Sequence, residues 1–219
     1  MRVTASMATI NRKCLNDVVL SIAGQVDHLQ INDNTSSVML EPFQLLENVS
    51  LNCIAKEGYG DQAKFIYDGM LGDYHLTLDD DIIYPADYVQ TMVRWLKEKP
   101  VVSAHGVKFQ GKTDSYYLGT NKTKYRYANT VLGLKRADVI GTGVMAMVSD
   151  LMPPIKIFKS NNMADIYYSK WLHLKGINRY VIPHKSGWIR NAQDYEGSIY
   201  NDYCNNDAEQ TELVNTILR

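Results

Sequence analysis

Three consecutive aspartates are the strongest candidate for a chemical site in this sequence. Asp79, Asp80 and Asp81 directly follow the apolar stretch from Tyr74 to Leu78. Adjacent carboxylates repel one another unless a cation neutralises them, and residues two apart on an extended chain point to the same side. Asp79 and Asp81 could therefore hold one hard divalent ion and leave positions open for substrate phosphates. The alternative is a solvated acidic turn that caps the helix beginning near Pro85.

The elements around the aspartates alternate between strands and helices. Hydrophobic periodicity predicts strands at 2–8, 26–31, 49–54, 74–78, 101–109, 137–148 and 179–182, and helices at 15–22, 60–70, 85–96, 163–174 and 208–218. The segment 111–133 is polar and rich in tyrosine, which indicates a long loop or hairpin. This order predicts an α/β fold with a mixed, mostly parallel central sheet flanked by helices. Ligands of such sheets gather at the carboxyl ends of strands, where the aspartates lie.

Composition narrows the class of protein. The chain has 219 residues, 45% of them hydrophobic and 21% charged, with a net charge of −1. These values are typical of a globular domain and argue against disorder and against a broadly basic nucleic-acid binder. The apolar runs are far shorter than the ~20 residues needed to span a bilayer. Fifteen Tyr and 3 Trp against 4 Phe suit a wet binding face, although edge strands use such residues too.

The cysteines indicate a reducing compartment. Cys14, Cys53 and Cys204 are odd in number and lack metal-site spacing, so we expect reduced thiols and a cytoplasmic location. The final predicted helix stops without a polar tail, which favours a domain excised from a longer protein.

The aspartates and the first strands together resemble a known family. Asp79-x-Asp81 after a strand is similar to the DXD motif of GT-A fold nucleotide-sugar glycosyltransferases, and residues 3–12 resemble that family's first strand and nucleotide-holding loop. Residues 15–34 continue the likeness, and 60–64 resemble the segment that brings a basic side chain towards the donor. The resemblance is closest to glycosyltransferase domains of large chlorella-infecting DNA viruses. It implies a Rossmann-like GT-A fold over 1–219, with 1–110 binding nucleotide-sugar and metal and 111–219 binding acceptor.

The resemblance implies roles in the first half. Asp81 would bind Mn²⁺ or Mg²⁺, and Asp79 would bind the metal or the donor ribose. The implied nucleotide-sugar pocket contains Thr4, Ser6, Arg12, Asp33, Lys64, Asp79 and Asp80. Lys64 or Arg12 would stabilise the charge that develops on a departing diphosphate. The alternatives are an ordinary surface lysine for Lys64 and an Asx-turn residue for Asp33.

It also implies roles in the second half. His184 would be a third metal ligand, and Lys185 would meet the diphosphate. Asp165 would be the base that deprotonates the acceptor, although the acidic pair usual at this helix start is reduced here to Ala164-Asp165. The alternatives are a structural histidine and an aspartate favoured by the helix dipole.

The second half of the chain has two further features of interest, a glycine segment and three aromatic residues. The Gly141-Thr142-Gly143 segment is similar to the stretch where the backbone approaches donor sugar and acceptor, but a β-bulge would also explain it. The rings of Trp188, Tyr116 and Tyr117 could stack on sugars, and packing in the core or a hairpin is the alternative we favour.

The function expected from these residues is a metal-dependent glycosyltransferase, transferring a hexosyl or deoxyhexosyl group from a UDP-sugar to a glycan hydroxyl. Its partners would be the UDP-sugar and the glycan, with no nucleic acid and no membrane span, in the host cytoplasm if the protein is viral. A sugar nucleotidyltransferase is one alternative, but it would need a glycine-rich, arginine-containing loop after the first strand, and 9–14 contains no glycine. A carbohydrate-binding module that uses its tyrosines is the other.

Overall fold

Strands and helices alternate along the first half of the chain, as predicted. The computed structural model describes residues 1–38, 43, 46–192 and 205–218. Within them the strands are β1 Val3–Thr9, β2 His28–Asp33, β3 Val49–Cys53, β4 Tyr74–Asp79, β5 Ile82–Ile83, β6 Val101–Ser103, β7 Gly106–Phe109, β8 Lys122–Tyr125, β9 Lys135–Ala137, β10 Val139–Ile140, β11 Val144–Val148, β12 Arg179–Val181 and β13 Arg190–Asn191. The helices are α1 Leu15–Ile22, α2 Tyr88–Leu96, α3 Ala164–Leu174 and α4 Ala208–Asn215.

The central sheet has eight strands in the order β3-β2-β1-β4-β11-β6-β12-β9. The first four run parallel, whereas β11 is antiparallel to both β4 and β6. Two smaller sheets accompany it, β10-β7-β8 and β13-β5. The predicted α/β class with a mixed, mostly parallel sheet is confirmed. The carboxyl ends of β1 and β4 lie side by side, which places the loop after β1 next to the aspartates.

The flanking helices follow the hydrophobic pattern. The apolar face of α1, Leu15, Val18, Val19 and Ile22, is buried on the sheet. The apolar face of α2 is buried in the same core. A second core lies beneath α3, and a third joins α3, α4 and the β10-β7-β8 sheet.

Two predicted long strands are each divided between sheets. The 101–109 strand leaves the central sheet after Ser103, and β7 joins the small sheet. The 137–148 strand breaks at the Gly141-Thr142-Gly143 segment in the same way. The two breaks pack against each other. Gly141 lies so close to His105 that a Cβ atom built on the glycine would be only 2.9 Å from the Cβ atom of the histidine. Two strands therefore change sheets together, which local periodicity does not reveal.

The predicted helix at 60–70 is wrong beyond its first turns. Residues Gly60–Phe65 form 3₁₀ turns and the chain then extends. Side chains on β2 take over the backbone bonds that a helix would use, since Asn32 donates to the carbonyls of Ala63 and Ile66 at 2.9 and 3.0 Å. Gln30 accepts from the amide of Asp68 at 2.9 Å.

In the parts of the chain described here, no helix combines the length and apolar character needed to cross a membrane. The side chain of Cys14 is buried and that of Cys53 is exposed. Cys204 lies outside the described residues.

Candidate active site

A cleft of about 460 Å³ opens at the carboxyl ends of β1 and β4. Its volume is within the usual range for a small-molecule site. The predicted site residues that line it are Arg12, Lys64, Asp79, Asp80, Asp81 and Asp165. Other lining residues come from the loop after β1, from Tyr116 and Tyr117, and from the start of α3. Residues far apart in sequence therefore meet at one site.

Asp80 ties the loop after β1 to the end of β4. Its carboxylate accepts hydrogen bonds from Thr9 Oγ1 at 2.7 Å and from the amide of Ile10 at 3.1 Å. Arg12 Nε donates to the other oxygen at 3.0 Å, and both side chains are about nine-tenths buried. Because both oxygens are engaged, Asp80 shapes the cleft wall and holds the Arg12 guanidinium in place.

Asp79 is paired with a buried lysine. The Lys64 ammonium donates to Asp79 Oδ1, with only 6% of the lysine side chain exposed. Burial opposes the charged form of Lys64, but the carboxylates of Asp79 and Asp61 outweigh it and raise the pKa of the amine. The lysine therefore carries a positive charge into the cleft, contrary to its alternative as a surface residue.

Asp81 is the aspartate with the weakest ion pairing. Its carboxylate lies 3.9 Å from the Arg12 guanidinium, and 37% of its side chain is exposed. Burial raises the pKa of Asp81 to about 6, and repulsion from Asp79 and Asp80 adds to the shift. The charge at this corner of the cleft is thus only partly neutralised by the protein.

Asp79 and Asp81 have donor chemistry that suits a hard ion. Their side chains keep 38% and 37% of their surface exposed at the cleft. No three His, Cys, Asp or Glu side chains of the described ranges are grouped to hold a metal by themselves. One or two carboxylates completed by substrate phosphates and water is the usual arrangement for Mg²⁺. The residues present fit a divalent ion bound together with a diphosphate.

Asp165 faces the aspartates from the first turn of α3. Its Oδ1 accepts from the amide and the hydroxyl of Thr142, at 2.7 and 2.6 Å. These bonds attach the start of α3 to the glycine segment between β10 and β11. Oδ2 has no hydrogen-bond partner among the described residues, so one oxygen of this carboxylate remains available to a ligand.

The sequence reasoning missed the residue that places α3. Asp61 accepts from the amides of Asn162 and Ala164 at 2.7 and 3.0 Å, and so caps the helix from a distant part of the chain. Burial raises the pKa of Asp61 to about 6, although the Lys64 ammonium opposes the shift. The sequence of the predicted 60–70 helix gives no indication of this capping role apart from the acidic side chain of Asp61.

Two predicted nucleotide contacts are corrected by the structure. Thr4 and Ser6 are fully buried. Thr4 Oγ1 lies 2.9 Å from His75 Nδ1, and Ser6 Oγ lies 2.8 Å from His75 Nε2. Both hydroxyls are therefore used inside the sheet, and neither residue lines the cleft.

Asp33 is likewise engaged in its own loop. Its oxygens accept from the amide and hydroxyl of Thr35, each at 2.7 Å, and from the amide of Val38 at 3.0 Å. Burial opposes ionisation, but these hydrogen bonds outweigh it and lower the pKa of Asp33. With 1% of the residue exposed, Asp33 corresponds to the Asx-turn alternative and is absent from the cleft lining.

The predicted contacts near residue 184 are not brought to the aspartates. His184 is buried, with its ring nitrogens 2.9 Å from the carbonyl of Ile182 and 3.4 Å from that of Arg126. Lys185 is exposed and does not line the cleft. Trp188 donates to Asp87 at 2.8 Å and packs on Tyr88, so packing explains its ring. His184 as a metal ligand and Lys185 as a diphosphate contact are corrected accordingly.

Tyr116 and Tyr117 form the side of the cleft towards Asp165. Their rings meet edge to face, with centroids 4.9 Å apart. Burial raises the pKa of the Tyr116 hydroxyl well above its usual value, and the charge of Asp165 contributes. The Tyr-rich segment, predicted as a loop or hairpin, thus contains both a cleft wall and strand β8.

Comparison with known proteins identifies the family of this chain. The model of the family described as glycosyl transferase family 2 matches residues 11–152. No curated protein matches the chain. Among solved structures it is similar to a nucleotidyl transferase from Methanothermobacter thermautotroptrophicus, with 12% identity, a TM-score of 0.52, and coverage of 85% of this chain and 88% of that chain. At this identity the likeness concerns the fold alone.

A second solved structure is a CMP:2-keto-3-deoxy-manno-octonic acid synthetase complexed with CTP. It has 12% identity and a TM-score of 0.49, and the match covers 82% of this chain and 88% of that chain. The family match, in contrast, spans more than half of the chain and includes the loop after β1, the three aspartates and the glycine segment. The protein therefore belongs to glycosyl transferase family 2.

Proposed function

We propose that this protein is a metal-dependent glycosyltransferase that moves a sugar from a UDP-sugar to a hydroxyl group of a glycan. One observation carries the proposal. In a chain of this family, Asp79 and Asp81 face the same cleft as Asp165, the first two from the end of β4 and the last from the start of α3. The cleft thus offers two carboxylates that suit a cation and a separate carboxylate whose Oδ2 has no hydrogen-bond partner in the described part of the chain.

The donor side is built for a diphosphate. A divalent ion held by Asp79 and Asp81 would supply positive charge to the departing diphosphate. Lys64 and Arg12 line the same side and are already fixed by Asp79 and Asp80. Cations that are positioned before the reaction stabilise developing charge without reorganisation.

The acceptor side is built for proton removal. Asp165 Oδ2 would accept the proton of the acceptor hydroxyl while the oxygen of that hydroxyl attacks the anomeric carbon of the donor sugar. The bond between that carbon and the diphosphate oxygen breaks, and UDP leaves with the electron pair. Thr142 holds Oδ1 with two hydrogen bonds, which fixes the carboxylate and leaves Oδ2 as the oxygen for this step.

Calorimetry with UDP and Mn²⁺ tests this proposal. We expect binding that disappears with a chelator, and sugar transfer with the same metal requirement. Asp81→Ala should abolish most metal-dependent UDP binding and leave the protein folded, because this half-exposed carboxylate contributes little to the core. Asp17→Ala, which removes an exposed carboxylate from α1, is the matched control and should behave as wild type.

Other outcomes separate the alternatives. Full activity of Asp81→Ala would exclude the metal site. Release of pyrophosphate from a nucleoside triphosphate and a sugar 1-phosphate would identify a nucleotidyltransferase. Binding of glycans without binding of UDP would identify a carbohydrate-binding module.

A further inference from the structure

The loop that bears Tyr116 and Tyr117 is held by polar contacts from the C-terminal helix. Asp207, directly before α4, accepts from Ser115 Oγ and from the amide of Tyr117, both at 2.6 Å. One turn later, Thr211 Oγ1 accepts from the amide of Tyr116 at 2.8 Å. The amides of Tyr116 and Tyr117 thus donate to residues about 90 positions further along the chain.

The carbonyls of the same loop are held by strand β8. Lys122 donates to the carbonyl of Tyr116, and Lys124 donates to that of Tyr117 at 3.0 Å. The base of the loop is attached to the last turn of α4, since Asn215 exchanges two hydrogen bonds with the backbone of Thr113 at 2.8 and 2.9 Å. The backbone of this loop is therefore held by side chains from α4 and β8 at Thr113, Tyr116 and Tyr117.

This arrangement has a consequence for the cleft. Tyr116 and Tyr117 line the cleft, and the charge of Asp165 acts on the Tyr116 hydroxyl. The cations for the diphosphate are instead bonded to the aspartates at the end of β4. Flat amphipathic rings suit the apolar face of a sugar, and a hydroxyl group at their edge can bond the sugar's own hydroxyls. A sugar that presents its hydroxyl to Asp165 would lie against these rings.

We propose that Asp207 is a positioning residue for the acceptor: its carboxylate holds the Tyr116-Tyr117 loop as the wall against which the acceptor sugar packs. This inference rests on the proposed function and assigns the acceptor subsite within it. Removal of the carboxylate breaks the hydrogen bonds to the Tyr117 amide and the Ser115 hydroxyl together, which weakens the support of both rings. Donor binding, which depends on the opposite side of the cleft, is unaffected.

The test compares Asp207→Asn and Asp207→Ala with wild type by two measurements. Hydrogen exchange reports the protection of the Tyr116 and Tyr117 amides. Transfer kinetics report the KM and kcat for the methyl glycosides of glucose, galactose and mannose, with UDP affinity measured by calorimetry. Glu209→Gln is the matched control, because it removes a charge two residues further on that bonds Ser160 instead of the loop.

For Asp207→Ala we expect the protection of the two amides to fall, and the KM for the acceptor sugar to rise, each by about 10-fold or more. This is the effect of losing hydrogen bonds to a charged carboxylate. UDP affinity and kcat at saturating acceptor sugar should stay within about twofold of the wild-type values, because neither depends on the lost hydrogen bonds. Asp207→Asn, which keeps one acceptor oxygen, should fall between the two proteins, and Glu209→Gln should match wild type.

Three results would overturn the proposal. Unchanged protection in Asp207→Ala would show that the carboxylate does not hold the loop. Lost protection with an unchanged acceptor KM would show that the loop is not the acceptor wall, as would a wild type that binds UDP but uses none of the three glycosides. A wild type that does not bind UDP at all would instead contradict the proposed function, while the exchange measurement would still decide whether Asp207 holds the loop.

Discussion

At the scale of single residues, the absence of a side chain at position 143 is as important as the carboxylate beside it. A Cβ built on Gly143 would overlap the carboxyl group of Asp79. The amide of Asp79 donates to the carbonyl of Gly143 at 3.1 Å, so the two backbones are also fixed against each other. The glycine is required by close approach, which was one of the two explanations offered by the sequence.

Gly143→Ala should therefore damage the donor site. The added methyl group displaces the Asp79 carboxylate from Lys64, and we expect UDP affinity in the presence of Mn²⁺ to fall by about 10-fold or more, the loss of one charge-assisted contact. Isothermal titration measures this. Gly24→Ala, where a Cβ has nothing within 4 Å, is the matched control and should bind UDP normally. Wild-type affinity in Gly143→Ala would contradict the role assigned to Asp79.

Asp165 supports a prediction that separates chemistry from binding. Asp165→Asn keeps the shape and the Thr142 contact of the side chain but removes its basicity, so transfer should fall by about 10²–10⁴-fold. UDP affinity should be nearly unchanged, because the donor contacts belong to β4 and the loop after β1. Turnover, UDP affinity and melting temperature should be measured on one sample. Normal turnover with a lowered melting temperature would return Asp165 to the helix-dipole alternative.

At the scale of elements, a buried histidine joins the two strands that carry the site. His75 on β4 lies between the hydroxyls of Thr4 and Ser6 on β1. Ser6 also donates to the backbone carbonyl of Lys64, so the network extends to the segment that delivers the lysine. Because His75 is fully buried and its ring nitrogens meet hydroxyl groups, burial lowers its pKa to about 3.

This histidine predicts the direction of acid destabilisation. An unfolded histidine takes up a proton near pH 6.5, whereas the folded one does so only near pH 3, so its contribution is complete above 6.5 and is lost as the pH falls. Each pH unit in this window should cost the wild type up to ~1.4 kcal/mol relative to His75→Gln. Urea unfolding of both proteins between pH 7 and pH 4 measures the difference.

The comparison with the variant is necessary because another group has the opposite effect. The pKa of Asp61 is raised to about 6, so its contribution to stability grows as the pH falls below that value. Subtracting the two unfolding curves cancels Asp61 and leaves His75. A difference that does not change with pH would contradict the buried, neutral state of His75.

At the scale of the whole molecule, the acceptor side of the cleft depends on the far end of the chain. Val214 and Ile217 pack with Val107, Val139 and Ile166 in one buried cluster. This cluster joins α4 to α3 and to the small sheet, and Tyr116 packs at its edge. The C-terminal helix is therefore part of the domain's core and a support for the cleft wall.

Val214→Ala should destabilise the protein by about 1–3 kcal/mol, because it removes two fully buried methyl groups from a closed cluster. Denaturant unfolding measures the change. Leu20→Ala, at a residue that is 63% exposed, should change the free energy of unfolding by less than about 0.5 kcal/mol. Equal stabilities of the two variants would show that α4 does not pack as described.

Short-range patterns predicted much of the fold. The apolar spacing of α1 and α2 gave their bounds to within a few residues, because a helix buries one face wherever it packs. Where polar side chains from elsewhere replaced local hydrogen bonds, as β2 does for residues 60–70, the same patterns failed. The prediction of two undivided strands failed for a related reason. Both strands change sheets where Gly141 packs against His105, and a contact between such distant residues is not visible in local periodicity.

The residue types along the chain are enough to establish the chemistry available to the site: three adjacent carboxylates at a strand end, and an aspartate in the first turn of a helix. Those features depend on neighbours along the chain. The partners that these side chains meet depend on how distant segments pack in the fold. This packing placed Lys64 and Arg12 at the aspartates and turned Thr4 and Ser6 to His75, and it left His184 bonded to backbone carbonyls. The reason is geometric, because a side chain's contacts depend on which strands lie side by side and at which end of them it stands.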